Sequence, residues 1–272
     1  MKYLNMENAQ IEIRVNSISN LKKILKLYIS DFEQLNIKRL IISTSYKDLN
    51  KFIKVINDNV NFNNISFLIM IKTNLIYVPS VSFENIILIN VSNKIHNNKN
   101  IYNQIVLKRE KIDSITKALH NDINIIVEPK IDVNNIKEFN DLLLELYDKN
   151  LDMEISLDGF LIPISLIKEH PCNAYLCDGW KCGLKISQLP RVLYIDENYM
   201  IYPHKLLTPN LCVGKLDGNL SIILKEYLNS EQYMYLRELE KRVFIKYVLN
   251  YPYDLFPLDR YLELEFLYDK QS

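Results

Sequence analysis

The sequence predicts an α/β protein built on a parallel sheet. Two observations carry the prediction. In the first half of the 272-residue chain, apolar residues switch repeatedly between strand-like runs and helical stripes. The turn-forming residues are gathered elsewhere: the first glycine is Gly159, and of nine prolines only Pro79 and Pro129 precede Phe160. All four cysteines, Cys172, Cys177, Cys182 and Cys212, also follow Phe160. A regular half therefore gives way, near residues 158–162, to a turn-rich, cysteine-bearing half.

Taken in order, Ile11, Ile13 and Val15 alternate with Glu12 and Arg14 and give a first strand. Leu21, Ile24, Leu25, Tyr28, Phe32 and Leu35 follow as a helical stripe, with Ser19 or Asn20 suited to cap it. Arg39–Ser43 is a short β-rich run, and Leu49, Phe52, Ile53 and Ile56 share the next helical face. Ile65–Ile71 and Ile86–Val91 are nearly continuous apolar runs, as expected of strands covered on both faces. Between them, Ile76–Glu84 shows no clear helix. Ile112, Ile115 and Leu119 mark a helix, Ile123–Val127 a buried strand, Ile136, Phe139, Leu143 and Leu146 another helix, and Leu151–Leu157 a sixth strand. Six such units fit an open doubly wound sheet or an incomplete barrel.

Either form gathers ligands at the carboxyl ends of its strands. The residues there are Ser43 and Ser45, Lys72 and Asn74, Asn90, Glu128 and Lys130, and Asp158. A lysine with two carboxylates at one mouth would bind or polarise a charged substrate. Polar residues also punctuate strand ends and cap the helices that follow, without binding anything.

Composition excludes several classes. With 33 Lys and Arg against 33 Asp and Glu, no global attraction to nucleic acid or anionic membrane is expected. The best apolar run, Ile65–Val78, is broken by Lys72, Thr73 and Asn74, so no membrane span is expected. The segment Met1–Ile11 lacks the apolar core of a secretory signal, which points to a cytoplasmic protein. A glycine-free first half has neither a P-loop nor a dinucleotide fingerprint. GxSxG and HExxH are absent, and His96, His120 and His170 stand apart from any nucleophile motif.

In the second half, Cys172, Cys177, Cys182 and Cys212, with His204, would supply ligands to zinc or an iron–sulfur centre. The spacing is not a CxxC knuckle, and reduced, buried cysteines acting as small apolar residues are the more frequent outcome. Arg191–His204 reads as a hairpin turning at Asp196–Glu197–Asn198, with Asn198 suited to the left-handed position. Val213–Leu220 is a turn-rich approach to a helix, and Leu236, Leu239, Glu240, Val243 and Tyr247 share one helical face. Tyr251–Tyr268 is aromatic and leucine-rich, suited to packing on its own domain or to self-association.

The run Cys182–Gly183, Val192–Leu193–Tyr194–Ile195–Asp196–Glu197–Asn198–Tyr199–Met200–Ile201–Tyr202–Pro203–His204, Gly214 and Gly218–Asn219–Leu220 resembles the SPASM or twitch extension of radical SAM enzymes. There a cysteine-glycine region precedes an Ile-Asp-x-x-Gly-x-x-Tyr-Pro-Cys hairpin and a Gly-Asn element before a helix. Lys72–Thr73–Asn74 is similar to the Thr-Asn-Gly strand end of those enzymes. The resemblance implies an incomplete parallel (β/α)6 barrel over residues 1–160, a small SPASM-like module over 161–220, and a helical, aromatic tail over 221–272.

The departures shape the functional expectation. The family holds a reducible cluster on three closely spaced cysteines after its first strand. Here that place reads Asn16–Ser17–Ile18–Ser19–Asn20. Where the family's glycine-rich cofactor element follows the second strand, Ser43–Thr44–Ser45–Tyr46–Lys47 stands instead. His204 replaces the last cysteine of the hairpin motif. The resemblance thus implies a non-catalytic accessory of ribosomal peptide maturation, such as bacteriocin biosynthesis, that binds a precursor peptide or a partner maturase. Two alternatives stand beside it: a metalloprotein on the C-terminal cysteines, and an ordinary α/β enzyme using Lys72, Glu128 and Asp158.

Overall fold

The computed structural model describes residues 9–129, 153–157, 160–163, 192–203 and 211–243, with positions 138, 141–142, 145–146 and 269. The first strand and helix are β1 (Gln10–Arg14) and α1 (Ile18–Gln34), followed by β2 (Arg39–Ser43) and α2 (Leu49–Asn59). Next come β3 (Leu68–Thr73), β4 (Ile86–Asn90) and β5 (Ile101–Leu107). Then α3 (Ile112–His120) leads to β6 (Ile125–Pro129), β7 (Glu154–Leu157) and β8 (Phe160–Pro163). The last elements are β9 (Val192–Ile195), β10 (Met200–Tyr202), β11 (Gly214–Lys215), α4 (Leu220–Leu228) and α5 (Glu231–Val243).

Eleven strands among the described residues form one sheet in the order β11-β10-β9-β1-β2-β3-β4-β5-β6-β7-β8. From β1 to β7 every neighbour is parallel and sequential, and β9 adds in parallel to the other side of β1. Only β8, β10 and β11 run antiparallel to their neighbours. No strand order reverses within β1–β7, so the sheet is not doubly wound. Right-handed crossovers advancing in one direction keep their connections on one face.

That face carries the larger core. Ile11, Ile13, Leu40, Ile42, Ile69, Ile71 and Leu88 pack with Leu21, Ile24 and Phe32 of α1, Phe52 and Ile53 of α2, and Leu220 and Leu224 of α4. The alternate residues Ile41, Met70, Ile89 and Ile126 form a second buried cluster. Both faces are covered, which explains the unbroken apolar runs of β3 and β4.

The sheet is curled. Arg39 on β2 and Glu154 on β7 form an ion pair although five strand spacings separate them in the sheet order. At about 4.8 Å per strand, a flat sheet would hold them roughly 24 Å apart, beyond the reach of two side chains. Arg39, Ile41 and Glu154 therefore face one another across a concave inner side.

Several expectations change at this point. A strand absent from the six-unit reading, β5, lies between β4 and β6. Its Asn103 and Gln104 interrupt the apolar run, so periodicity does not reveal it. The helix expected from Ile112 is α3, and positions 138, 141–142 and 145–146 are helical as expected. No helix occurs among the described residues between β3 and β4, nor between β4 and β5. The cap of α1 is Ser17, not Ser19 or Asn20; its hydroxyl accepts the Asn20 amide. In the β9–β10 turn the left-handed residue is Tyr199 (φ 64°), not Asn198. Asp196 Oδ1 accepts the amides of both Asn198 and Met200 there, leaving Tyr199 to take the positive φ.

The C-terminal elements are tied to α1. Tyr28 donates its hydroxyl to the Leu216 carbonyl at 2.9 Å, and the Asp31 carboxylate accepts the Leu220 amide at the start of α4. Among the described residues no helix is long and apolar enough to cross a membrane.

Candidate binding site at the strand mouths

Strand register decides which polar side chains share the concave side. Arg14, Ser43 and Lys72 are direct partners across β1, β2 and β3, so their side chains stand in one row on one face. Ser43 Oγ donates to Glu12 Oε1 at 2.6 Å, which fixes that face as the one carrying Glu12. Glu12 is 3% exposed and lies one step deeper, whereas Arg14 is exposed and Lys72 half-buried at the carboxyl end. Across the curl, Gln104 donates its amide to the Glu128 carboxylate. Tyr194, in register with Glu12, stacks obliquely on Tyr202, their centroids 6.3 Å apart. Burial first, then the Asp196 carboxylate and Cys212, raises the Tyr202 hydroxyl above its ordinary pKa, so it stays protonated.

The predicted mouth residues do not all meet. Ser43, Lys72 and Glu128 belong to the concave side, while Asn74 is exposed beyond the end of β3. Asn90 is in register with Thr73 and Asn103, on the opposite side, and is fully buried. Its oxygen accepts the amides of Leu75 and Ser92; its NH2 donates to the Lys94 carbonyl and to Asn103 Oδ1. Asn103 also binds both backbone polar groups of His96, whose ring meets the Leu75 carbonyl at 3.2 Å. All four positions of the Asn90 amide are used to hold two loops, which leaves it none for a ligand.

Of the metal candidates, Cys212 alone lies among the described residues; it is half-buried and donates its thiol to the Gly214 carbonyl. Cys172, Cys177, Cys182 and His204, and the mouth residue Asp158, lie outside the described residues. Among the described residues no three His, Cys, Asp or Glu side chains gather as a metal site requires. The sequence reading missed Arg14, Glu12 and the Arg39–Glu154 pair. Their alternation with Ile11, Ile13 and Leu40 was the available signal, but it reads equally as a solvent face until the sheet curls.

No protein-family model matches the chain, and no curated protein matches its sequence. A solved structure does match. The chain resembles SuiB of Streptococcus suis, crystallised with S-adenosylmethionine, at a TM-score of 0.52 and 11% identity. The likeness covers 86% of this chain and 68% of SuiB. At that identity the likeness is one of fold alone and carries no activity over to this chain.

The family resemblance of the sequence raises the question of an iron–sulfur cluster after β1. Three residues, Val15, Asn16 and Ser17, join β1 to α1. Asn16 accepts both the amide and the hydroxyl of Ser45 and donates to Glu197, while Ser17 caps α1. The loop has no thiol, and its polar side chains are committed to the protein. These residues do not fit a three-thiolate cluster.

Proposed function

We propose that the chain is a non-catalytic, radical-SAM-like accessory of ribosomal peptide maturation, binding a precursor peptide or a partner maturase. One observation carries the reading: the fold is kept while the β1–α1 loop is closed by Asn16 and Ser17 with no cluster ligands. Without three thiolates there is no held iron to pass an electron to S-adenosylmethionine. The proposal includes an incomplete (β/α)6-type barrel over 1–160, a SPASM-like module over 161–220 and a tail over 221–272. It also includes a cytoplasmic location and self-association through the tail. The test is calorimetric titration of the full chain with the peptide and the maturase encoded beside it. Affinity for either supports the role; affinity for neither, or reductive cleavage of S-adenosylmethionine by the purified chain, overturns it.

A second reading is favoured by the confinement of all four cysteines to Cys172–Cys212. A zinc or iron–sulfur site there would use Cys172, Cys177, Cys182, His204 and Cys212. Metal and acid-labile sulfide after anaerobic purification, compared with Cys182→Ser and Cys212→Ser, decide it: metal lost in both variants supports the site, unchanged content excludes it.

A further inference from the structure

Two cations at the mouth have no anionic partner among the described residues. Arg14 and Lys72 flank Ser43 in one cross-strand row, two strand spacings or roughly 10 Å apart. Neither forms an ion pair or a side-chain hydrogen bond within the described chain, in contrast to Arg39, which Glu154 neutralises. The nearby carboxylates have other donors: Glu12 takes Ser43, Glu128 takes Gln104, and Glu197 takes Asn16. A half-buried lysine and an exposed arginine flanking Ser43 in one row both gain from a ligand whose anionic groups reach the two of them.

The rim of the same end is apolar. The loops that replace helices after β3 and β4 expose Ile76 (74%), Tyr77 (48%), Val78 (42%), Val91 (43%) and Ile95 (42%). Ser92 and His96 both bond the Leu75 carbonyl, so the two loops lie side by side. Beneath them, the buried amides of Asn90 and Asn103 hold the rim in one shape, which lowers the entropy lost on binding.

We infer that the carboxyl-end mouth binds an acidic peptide segment whose carboxylates reach Arg14 and Lys72 while neighbouring apolar side chains cover the 74–78 and 91–95 rim. Charge complementarity selects the acidic side chains, and the rim selects aliphatic or aromatic neighbours. This names the ligand chemistry of the peptide-binding role proposed above and rests on it.

The experiment uses the full chain and a fluorescein-labelled dodecapeptide alternating Glu with Leu and Phe, read by anisotropy. The same peptide with Gln or Lys in place of Glu is the control. The acidic peptide is expected to bind at least about tenfold more tightly than the Gln form, the scale of one charge-assisted hydrogen bond. Arg14→Gln and Lys72→Met should each remove about that factor, with thermal melts confirming the fold. Three outcomes overturn the inference: no binding, equal binding of all three peptides, or binding that both variants retain. Equal competition by an RNA oligonucleotide also overturns it, because generic anion attraction then suffices. The accessory role fails separately, if the acidic probe binds through Arg14 and Lys72 but the neighbour-encoded peptide and maturase do not. If those partners bind and the probe does not, the role stands and this inference falls.

Discussion

At the residue scale, a nearly glycine-free fold must place ordinary side chains where the backbone turns left. Asn36 (φ 55°) follows α1 and Asp122 (φ 54°) follows α3; both residue types tolerate this region by bonding locally. Tyr199 is the costlier case. Its ring packs on the main core and lies under the Lys23 ammonium, 4.8 Å from the centroid. Its hydroxyl is buried with no hydrogen-bond partner among the described residues. Tyr199→Phe keeps the ring contacts and removes the unsatisfied group, so it should stabilise the protein by about 1 kcal/mol, read as a rise in the urea midpoint. Asn90 shows the opposite economy, because every polar position of its amide is satisfied by the chain. Asn90→Leu should strand the Leu75 amide and Asn103 and destabilise by about 1–3 kcal/mol for each buried group left bare.

At the element scale, junctions between helices and strands carry the specificity. The Ser17 hydroxyl ends α1 at its first turn, and Ser17→Ala should cost about 1 kcal/mol by chemical denaturation. A second junction joins Asp269 to α5: Arg242 Nη1 donates to its carboxylate at 2.8 Å, and Tyr235 donates at 3.0 Å. Hydrogen bonding from Arg242, against a smaller desolvation penalty, holds the Asp269 carboxyl below its ordinary pKa. The stabilisation is therefore complete above the unfolded aspartate pKa of about 3.9 and is lost as pH falls through the lower folded value. The stability gap between wild type and Asp269→Asn should be constant near neutral pH and close only below about pH 4. A gap that closed between pH 5 and 7 would exclude this origin.

At the scale of the whole molecule, the Arg39–Glu154 pair spans the curl and couples strands far apart in the sheet. Arg39→Met leaves a half-buried carboxylate unpaired and should cost about 1–3 kcal/mol, whereas the double variant Arg39→Met with Glu154→Leu should recover much of it. Equal losses in both would mean that packing, not charge, holds the ends of the sheet together.

The sequence by itself determined the class of fold and most of its strands. Period-two and period-3.6 patterns are local, and β1 to β4, β6 and β7 announce themselves through Ile, Leu and Val. It also determined the absence of cysteine and glycine after the first two strands, which weighs most on the functional reading. Tertiary structure decided the rest. β5 became visible only as the partner of β4 and β6, because its buried Asn103 looks polar until His96 and Asn90 surround it. Likewise, Asn90 and Lys72 are both polar strand-end residues in the sequence. Register sends one into the packing beneath the rim loops and the other to the concave mouth. Which face is interior depends on how the sheet curls, and the curl is set by contacts between residues far apart in the chain, as in Arg39 and Glu154.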